Sequence, residues 1–240
     1  MRYTNVTIGE KHSHDDFDLV LLKLAISPPE ANTHLIDVPG RATRIDATQS
    51  LYGEITYKNR TISMDFIHYH KGFGVWMGVY SSILNAWHGQ RLQIIFDDDP
   101  TFYYIGRVSV SSAKESPLYA AFTVTVDAEP YKYDVNGSTD PWEWDHFEFG
   151  DNEIVNYDDI WVRAGKSLTI NVSGASVPVR PVVSVTRQMK LKVGTSEYTL
   201  IPGMDQKLGE KVGTVPVPFV FINSGPYDGQ VRIEFRGERL

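Results

Sequence analysis

The chain has no cysteine among its 240 residues. This absence excludes disulfide bonds, thiolate zinc sites and cysteine nucleophiles, and it is typical of proteins made in a reducing cytoplasm. Long apolar runs are missing too, because the best one, residues 19–26, contains Lys23 and is far shorter than the roughly 20 residues that span a bilayer. The N-terminus has no apolar core of the kind found in signal peptides. We therefore expect a soluble protein with no membrane insertion.

Positive charge is scarce as well. The chain has 23 Lys and Arg against 30 Asp and Glu, a net charge of -7, and no Lys/Arg run that could neutralise a phosphate backbone, so we expect no specific nucleic-acid partner. The sequence also lacks a G-x-S-x-G elbow, a P-loop, a dinucleotide fingerprint and an H-E-x-x-H helix. These absences favour a protein that is not an enzyme and needs no cofactor.

What the sequence does contain is a series of short alternating segments rich in Val, Ile, Thr and Tyr. Together with the turn residues between them, they predict an antiparallel sheet with strands at 61–68, 91–96, 102–109 and 119–126. Three aspartates and Pro100 separate two of these strands, as in a hairpin loop. Upstream, residues 36–48 predict a strand, a Pro39-Gly40 turn and a second strand, and another alternating strand is expected between Gly53 and Ile62.

One segment has helical rather than strand periodicity. Its apolar residues fall on a single helical stripe, and Gly89 supplies a C-terminal stop; the stripe consists of Val75, Trp76, Val79, Tyr80, Ile83, Leu84 and Trp87. The pattern predicts one amphipathic helix packed on the sheet. Because that face must be buried, we expect Trp76 and Trp87 to belong to the core and not to a ligand platform.

The character of the sequence changes between Tyr133 and Asp159, where turn residues accumulate and the alternation is lost. Beyond this boundary, strands separated by Gly and Pro are predicted at 167–172, 182–186, 189–193, 197–201, 219–223 and 230–235, which favours a second all-β unit, a sandwich. We therefore predict an N-terminal domain at 1–133, a linker at 134–160 and a C-terminal β-sandwich domain at 161–240, whose start could fall within the linker.

Two histidine clusters have the composition of metal sites. His68 and His70 would share one face of an extended strand, but no third ligand is near them in the sequence. The second cluster lies in a polar N-terminal segment where solvated loop residues are the rule, and it consists of His12, His14, Asp15, Asp16 and Asp18. We expect a metal at neither cluster.

Trp142 and Trp144 alternate with acidic residues in the predicted linker. Aromatic rings that face sugars, with carboxylates that bind hydroxyls, are the composition of a carbohydrate site, so these two tryptophans are candidate carbohydrate contacts. The same residues could instead pin the linker against either domain. Paired acids for glycoside hydrolysis are a further alternative, but that chemistry depends on the separation of two carboxyl groups, which the sequence does not give.

The chain contains, in this order, the segments Asp37-Val38-Pro39-Gly40-Arg41, Asp46-Ala47-Thr48, and residues 53–62, 84–89, 93–99, 104–108 and 128–133. This ordered series resembles the N-terminal domain of the distal tail protein (Dit) family of long-tailed (siphovirus) bacteriophages. The closing segment 231–236 is also similar to the family. A departure lies at 162–166, where the family often has an Asn-Pro-Gly turn.

The resemblance implies an N-terminal β-sandwich with one packed α-helix that closes into a ring of six copies. The C-terminal domain would be a galectin-like or carbohydrate-module-like β-sandwich. Such a protein is a structural hub at the distal end of the phage tail, made in the bacterial host cytoplasm and located at the virion tail tip. Its partners would be further copies of itself, the tail tube protein, and tail-tip, tail-associated or receptor-binding proteins. The alternative function is a carbohydrate-binding module for host surface polysaccharide.

Overall fold

The computed structural model of the protein describes residues 5–53, 55–69, 73–139, 156–174 and 176–240. These residues are mostly β, as the sequence predicts. They fall into two compact units, Met1–Lys132 with Leu240, and Tyr133–Arg239. The predicted linker at 134–160 lies partly outside the described residues, so its bounds stay a prediction. Within the described ranges, no helix is long and apolar enough to cross a membrane.

The first unit is built on a single antiparallel sheet. Its elements are β1 Val6–Ile8, β2 Lys11–His12, β3 Leu19–Ile26, β4 Leu35–Ile36, β5 Ile45–Asp46, α1 Thr48–Tyr52, β6 Arg60–Tyr69, α2 Phe73–Trp87, β7 Arg91–Phe96, β8 Phe102–Val110, β9 Lys114–Glu115 and β10 Tyr119–Ala128. The sheet has the strand order β2-β1-β7-β8-β10-β6-β3, β9 pairs with β10, and β4 and β5 form a separate hairpin. The four strands predicted between residues 61 and 126 are confirmed as β6, β7, β8 and β10.

Helix α2 covers the predicted helical segment and packs on this sheet. Trp76 and Trp87 are completely buried, and Trp87 meets Phe66 with 6.2 Å between ring centroids. The helix ends as expected, because Gly89 adopts a φ of +77°, in the left-handed region that favours glycine. The core placement of both tryptophans is confirmed. Val75, which the stripe included, is instead 62% exposed.

The second unit is a sandwich of two four-stranded antiparallel sheets. Its strands are β11 Lys132–Asp134, which begins at the last residue of the first unit, β12 Ile160–Val162, β13 Ser167–Val172, β14 Val182–Val185, β15 Met189–Val193, β16 Ser196–Leu200, β17 Gln206–Lys207, β18 Val217–Ile222, β19 Gly229–Glu234 and β20 Glu238–Arg239. The two sandwich sheets have the orders β12-β19-β14-β17 and β13-β18-β15-β16, whereas β11 and β20 pair with each other and belong to neither sandwich sheet. Buried residues of both sheets, such as Ile233 and Phe221, share one core. All six strands predicted beyond the boundary are present.

Two parts of the first unit differ from the sequence-based expectation. The strand predicted after Gly53 is wrong in its first half, because Gly53 is the C-cap of α1 and β6 begins only at Arg60. The polar N-terminal segment is not all loop either, because it contains β1 and β2, and His12 belongs to β2. Elements of two to five residues are too short to repeat a strand or helix pattern often enough for it to be recognised, which explains both misses.

We expect Trp87→Ala to destabilise the first unit by about 3–5 kcal/mol, since the substitution leaves a large cavity between α2 and the sheet. Val75→Ala is the matched control on the same helix, and because Val75 is largely exposed its effect should stay within about 0.5 kcal/mol. Urea unfolding followed by far-UV circular dichroism measures both values. Equal losses in the two variants would contradict the burial of Trp87.

Candidate assembly surface

Strand β3 forms an open end of the first unit's sheet. Among the described strands it pairs only with β6, and a β-bulge between Leu21 and Lys23 shifts the register. Beyond the bulge, Leu24 and Ile26 lie opposite Met64 and Ile62, which are fully buried. Leu24 and Ile26 are themselves 37% exposed, because no further strand covers them. We call residues 22–26 the free edge. It presents backbone groups without a partner strand next to the partly exposed core side chains of Leu24 and Ile26.

A separate apolar hairpin, β4 and β5, follows the free edge in the chain. We call residues 35–46 the arm. Its exposed aliphatic side chains are Leu35, Ile36, Val38 and Ile45, each at least 38% exposed. An isolated two-stranded hairpin is marginally stable in water, and a cluster of exposed aliphatic residues is typical of an interaction surface. The arm therefore has the properties of a segment that is covered by another chain.

The tip of the arm is shaped by a tight turn and carries excess positive charge. The Arg41 backbone N–H donates to the Val38 carbonyl (3.1 Å), and Gly40 between them has a φ of +81°. Across the hairpin, Arg44 Nε donates to Asp37 Oδ1 (2.9 Å). Arg41 adds a second guanidinium, so the tip has two positive charges against one negative charge.

Hydrogen bonds fix the stem from which the arm emerges. The His34 backbone N–H donates to Thr48 Oγ1 (2.8 Å), and the Ala47 N–H donates to the His34 carbonyl (2.9 Å). Asp46 Oδ1 accepts the Thr48 N–H (3.0 Å), and hydrogen bonds from the Thr48 hydroxyl and N–H lower the pKa of Asp46. The arm thus leaves the unit in a defined direction although its own side chains are exposed.

A second surface of the same unit has the opposite charge. The turn after β2 and one side of α2 enclose a shallow groove of about 700 Å³, which we call the acidic groove. Asp15, Asp16 and Asp18 line it together with Lys11. Lys11 Nζ donates to Asp16 Oδ1 (2.7 Å), which lowers the pKa of Asp16 and raises that of Lys11. Three carboxylates against one ammonium group leave the groove negative.

The histidines considered as metal ligands are engaged in other contacts. His12 Nε2 lies 3.4 Å from Asp97 Oδ2, and its Nδ1 accepts the Asp15 backbone N–H (3.1 Å). His68 is buried with its ring centroid 5.3 Å from that of Trp76, and His70 lies outside the described residues. Within the part of the chain that the structure describes, no group of three or more His, Asp or Glu side chains is arranged to hold a metal ion.

The predicted carbohydrate contacts, Trp142 and Trp144, also lie outside the described residues, so that assignment stays a prediction. Sequence reasoning missed the free edge and the acidic groove. The run 19–26 was visible as an apolar segment, but its position at the end of a sheet depends on the pairing of distant strands. The arm lies within a segment that the sequence did single out.

Comparisons with known proteins give a fold but no family by sequence. No protein-family model matches the chain, and no curated protein matches it. Seven chains of solved structures are similar to it. The particular match is Dit (gp 19.1) of phage SPP1, described as a paradigm of the hub adsorption apparatus in phages that infect Gram-positive bacteria. The identity is 10%, the TM-score is 0.64, and each chain is covered completely. The chain therefore has a Dit-like fold, as the resemblance implied.

Removal of the Thr48 hydroxyl should loosen the stem. In Thr48→Val we expect faster exchange of the His34 amide proton and a rise in the pKa of Asp46 toward its ordinary value of 3.8. Because folding lowers this pKa, the hydrogen bonds stabilise the stem above pH 3.8 and are lost as the pH falls through the lowered value. NMR hydrogen exchange and carboxyl titration measure both effects, with the exposed Ser50→Ala as control. Unchanged exchange and titration in Thr48→Val would contradict this role.

Proposed function

We propose that this chain is a structural hub protein of a phage tail that assembles with copies of itself into a closed ring. The observation that carries the proposal is the Dit-like fold over the full length of the chain, in both units. At 10% identity the likeness concerns the fold, so the case for assembly rests on the surfaces of this chain. The free edge and the arm supply that case.

Ring closure fits the physical properties of these surfaces. A head-to-tail contact joins two different surfaces, and a ring repeats that contact until no surface is left unpaired. The free edge and the arm would form one side of the contact, where burial of Leu24, Ile26 and the arm's aliphatic residues stabilises the ring. Pairing of backbone groups along the free edge would remove an aggregation hazard from the monomer.

The opposite side of the contact is proposed to include the acidic groove. The positive tip of the arm, with Arg41 and Arg44, complements the carboxylates of Asp15, Asp16 and Asp18. Such complementarity sets orientation and discourages wrong pairings more than it adds affinity. A two-fold dimer would also join the arm of each copy to the groove of the other, so the mass of the particle, and not the charge pattern, distinguishes a ring from a dimer.

The proposed location is the virion tail tip, after synthesis in the bacterial host cytoplasm. The ring would join the tail tube protein to tail-tip, tail-associated or receptor-binding proteins, in a hexamer. The hub role needs no reaction and no cofactor, since its work is to hold protein partners in a fixed geometry.

Light scattering coupled to size-exclusion chromatography, with negative-stain images, tests the ring. We expect six times the mass of one chain and ring-shaped particles. The double variant Ile36→Ser/Ile45→Ser removes two apolar side chains that face each other in the arm, so it should shift the mass toward the monomer without changing the fold. Val215→Ser, at a 75% exposed position of the second unit, is the control. A monomer at the highest soluble concentration would contradict self-assembly.

Charge reversal tests which surface receives the arm. Arg41→Glu places a negative charge beside the acidic groove of the next copy and should raise the dissociation constant of the ring. Asp18→Arg in the same chain should restore part of the affinity, because every interface of a ring contains one arm and one groove. Light scattering across a dilution series measures both constants. If Asp18→Arg gave no rescue, the groove would not be the receiving surface.

A further inference from the structure

The second unit exposes a tryptophan on the outer face of a sheet. Trp161, in the edge strand β12, is 56% exposed, whereas its neighbour Val162 is fully buried in the sandwich core. Since successive side chains of a strand point to opposite faces, the indole of Trp161 lies on the outer face of the sheet. An indole is a large apolar surface to leave in water, and its presence on a rigid strand gives it a fixed position.

Polar side chains surround this indole in a fixed arrangement. Gln230 lies directly opposite Trp161, and its side-chain amide donates to Asp159 Oδ1. The Gln230 backbone N–H donates to Thr186 Oγ1 (2.8 Å), and the Thr186 N–H donates to the Gln230 carbonyl (3.1 Å). Trp161, Gln230 and Thr186 therefore form one row across β12, β19 and the end of β14. We call this row, with Asp159 and Arg232, the indole face.

Arg232 extends the indole face by one further row along β19. Its Nη2 donates to Thr139 Oγ1 (2.8 Å), and its guanidinium lies 3.9 Å from Asp158 Oδ1 and 3.7 Å from Glu234 Oε2. Arg232 is two residues from Gln230 on the same strand, so both side chains project from the same side of the sheet. Because these side chains are already held by neighbours, a ligand would meet donors and acceptors whose positions are set before it binds.

The charge and shape of the indole face define its ligand. Three carboxylates, of Asp158, Asp159 and Glu234, outweigh the single guanidinium of Arg232, so a phosphate-bearing or otherwise anionic polymer is disfavoured. What fits is an uncharged molecule with an apolar C–H face to stack on the indole and hydroxyl groups to reach carboxylate, amide and guanidinium partners. A neutral pyranose sugar has both properties.

We propose that the indole face binds a neutral pyranose glycan, with Trp161 as the stacking platform and Gln230, Asp159 and Arg232 as hydroxyl partners. None of these residues is one of the predicted carbohydrate contacts, Trp142 and Trp144. The indole face does not depend on ring formation, because all its residues belong to the second unit and none to the free edge, the arm or the acidic groove.

The test is a titration of the full-length chain with cellotetraose, maltotetraose, chitotetraose and a galactose tetramer, by isothermal calorimetry and saturation-transfer NMR. We expect at least one of them to bind, and Trp161→Ala to weaken that binding by about tenfold or more. Trp161→Phe keeps an aromatic ring and should lose less, and Gln230→Ala should lose several-fold. Met204→Ala, at a 60% exposed position of the same unit, should bind like the unaltered chain.

Three results would overturn the inference. The first is that none of the four oligosaccharides binds at its solubility limit. The second is that binding survives Trp161→Ala but is lost in Trp142→Ala or Trp144→Ala. The third is that Trp161→Ala changes the particle mass by light scattering, since the indole would then be a contact between copies. The ring proposal is judged separately by the Ile36→Ser/Ile45→Ser variant, so failure of one does not imply failure of the other.

Discussion

The last strand of an antiparallel sheet leaves alternate backbone N–H and C=O groups without a partner in the sheet, and it leaves core-facing side chains covered on one side only. In this protein the constraint falls on β3. Leu24 and Ile26 lie opposite Met64 and Ile62 of the next strand, which are fully buried in the core. Leu24 and Ile26 themselves remain partly exposed. Strand β2 is protected as an edge by being only two residues long, whereas β3 has eight residues. The β-bulge and Lys23 of β3 are also edge protections, but they lie at the middle of the strand and leave Leu24 and Ile26 beyond them uncovered. The two ends of the sheet therefore differ: the β2 edge is short, and the β3 edge is long and only partly covered. Head-to-tail assembly needs two different surfaces of this kind.

The regular part of the fold could be predicted because each strand buries one face. In β8 and β10 buried positions alternate with half-buried or exposed ones along the whole strand, and in β10 apolar residues alternate with threonine from Phe122 to Val126. Helix α2 was equally visible, since Trp76, Ile83 and Trp87 must share one face. Prediction failed where an element holds too few residues to repeat its pattern, as in β1, β2 and α1. It also failed for Val75, whose place at the border of the stripe depends on how far the sheet extends beneath the helix.

The candidate surfaces were harder to predict, for a different reason. Leu24 in the free edge and Leu191 in the sandwich core are the same residue type in strands of similar composition, yet one is at an edge and the other is fully buried. Only the pairing of strands distant in sequence decides between them. Trp161 gave no sequence signal either, because its polar neighbours are distant in sequence: Gln230 belongs to β19 and Thr186 follows β14. In contrast, Trp142 and Trp144 attracted attention because their acidic neighbours are adjacent in sequence, which says nothing about a shared face.

The two proposals use different chemistry and would reinforce each other. Aliphatic side chains and unpaired backbone groups suit a permanent contact between copies, because their burial is favourable and is not readily reversed. A single indole with a few polar partners suits a weak, reversible contact with a solvated sugar. A ring would present several identical sites to a repetitive polysaccharide. Once one site has bound, the others meet the polysaccharide at a high effective concentration, which raises the overall avidity by about 10²–10⁴. Each site could then release and rebind while the particle stays attached, so a modest affinity at Trp161 would be sufficient if the proposed ring forms.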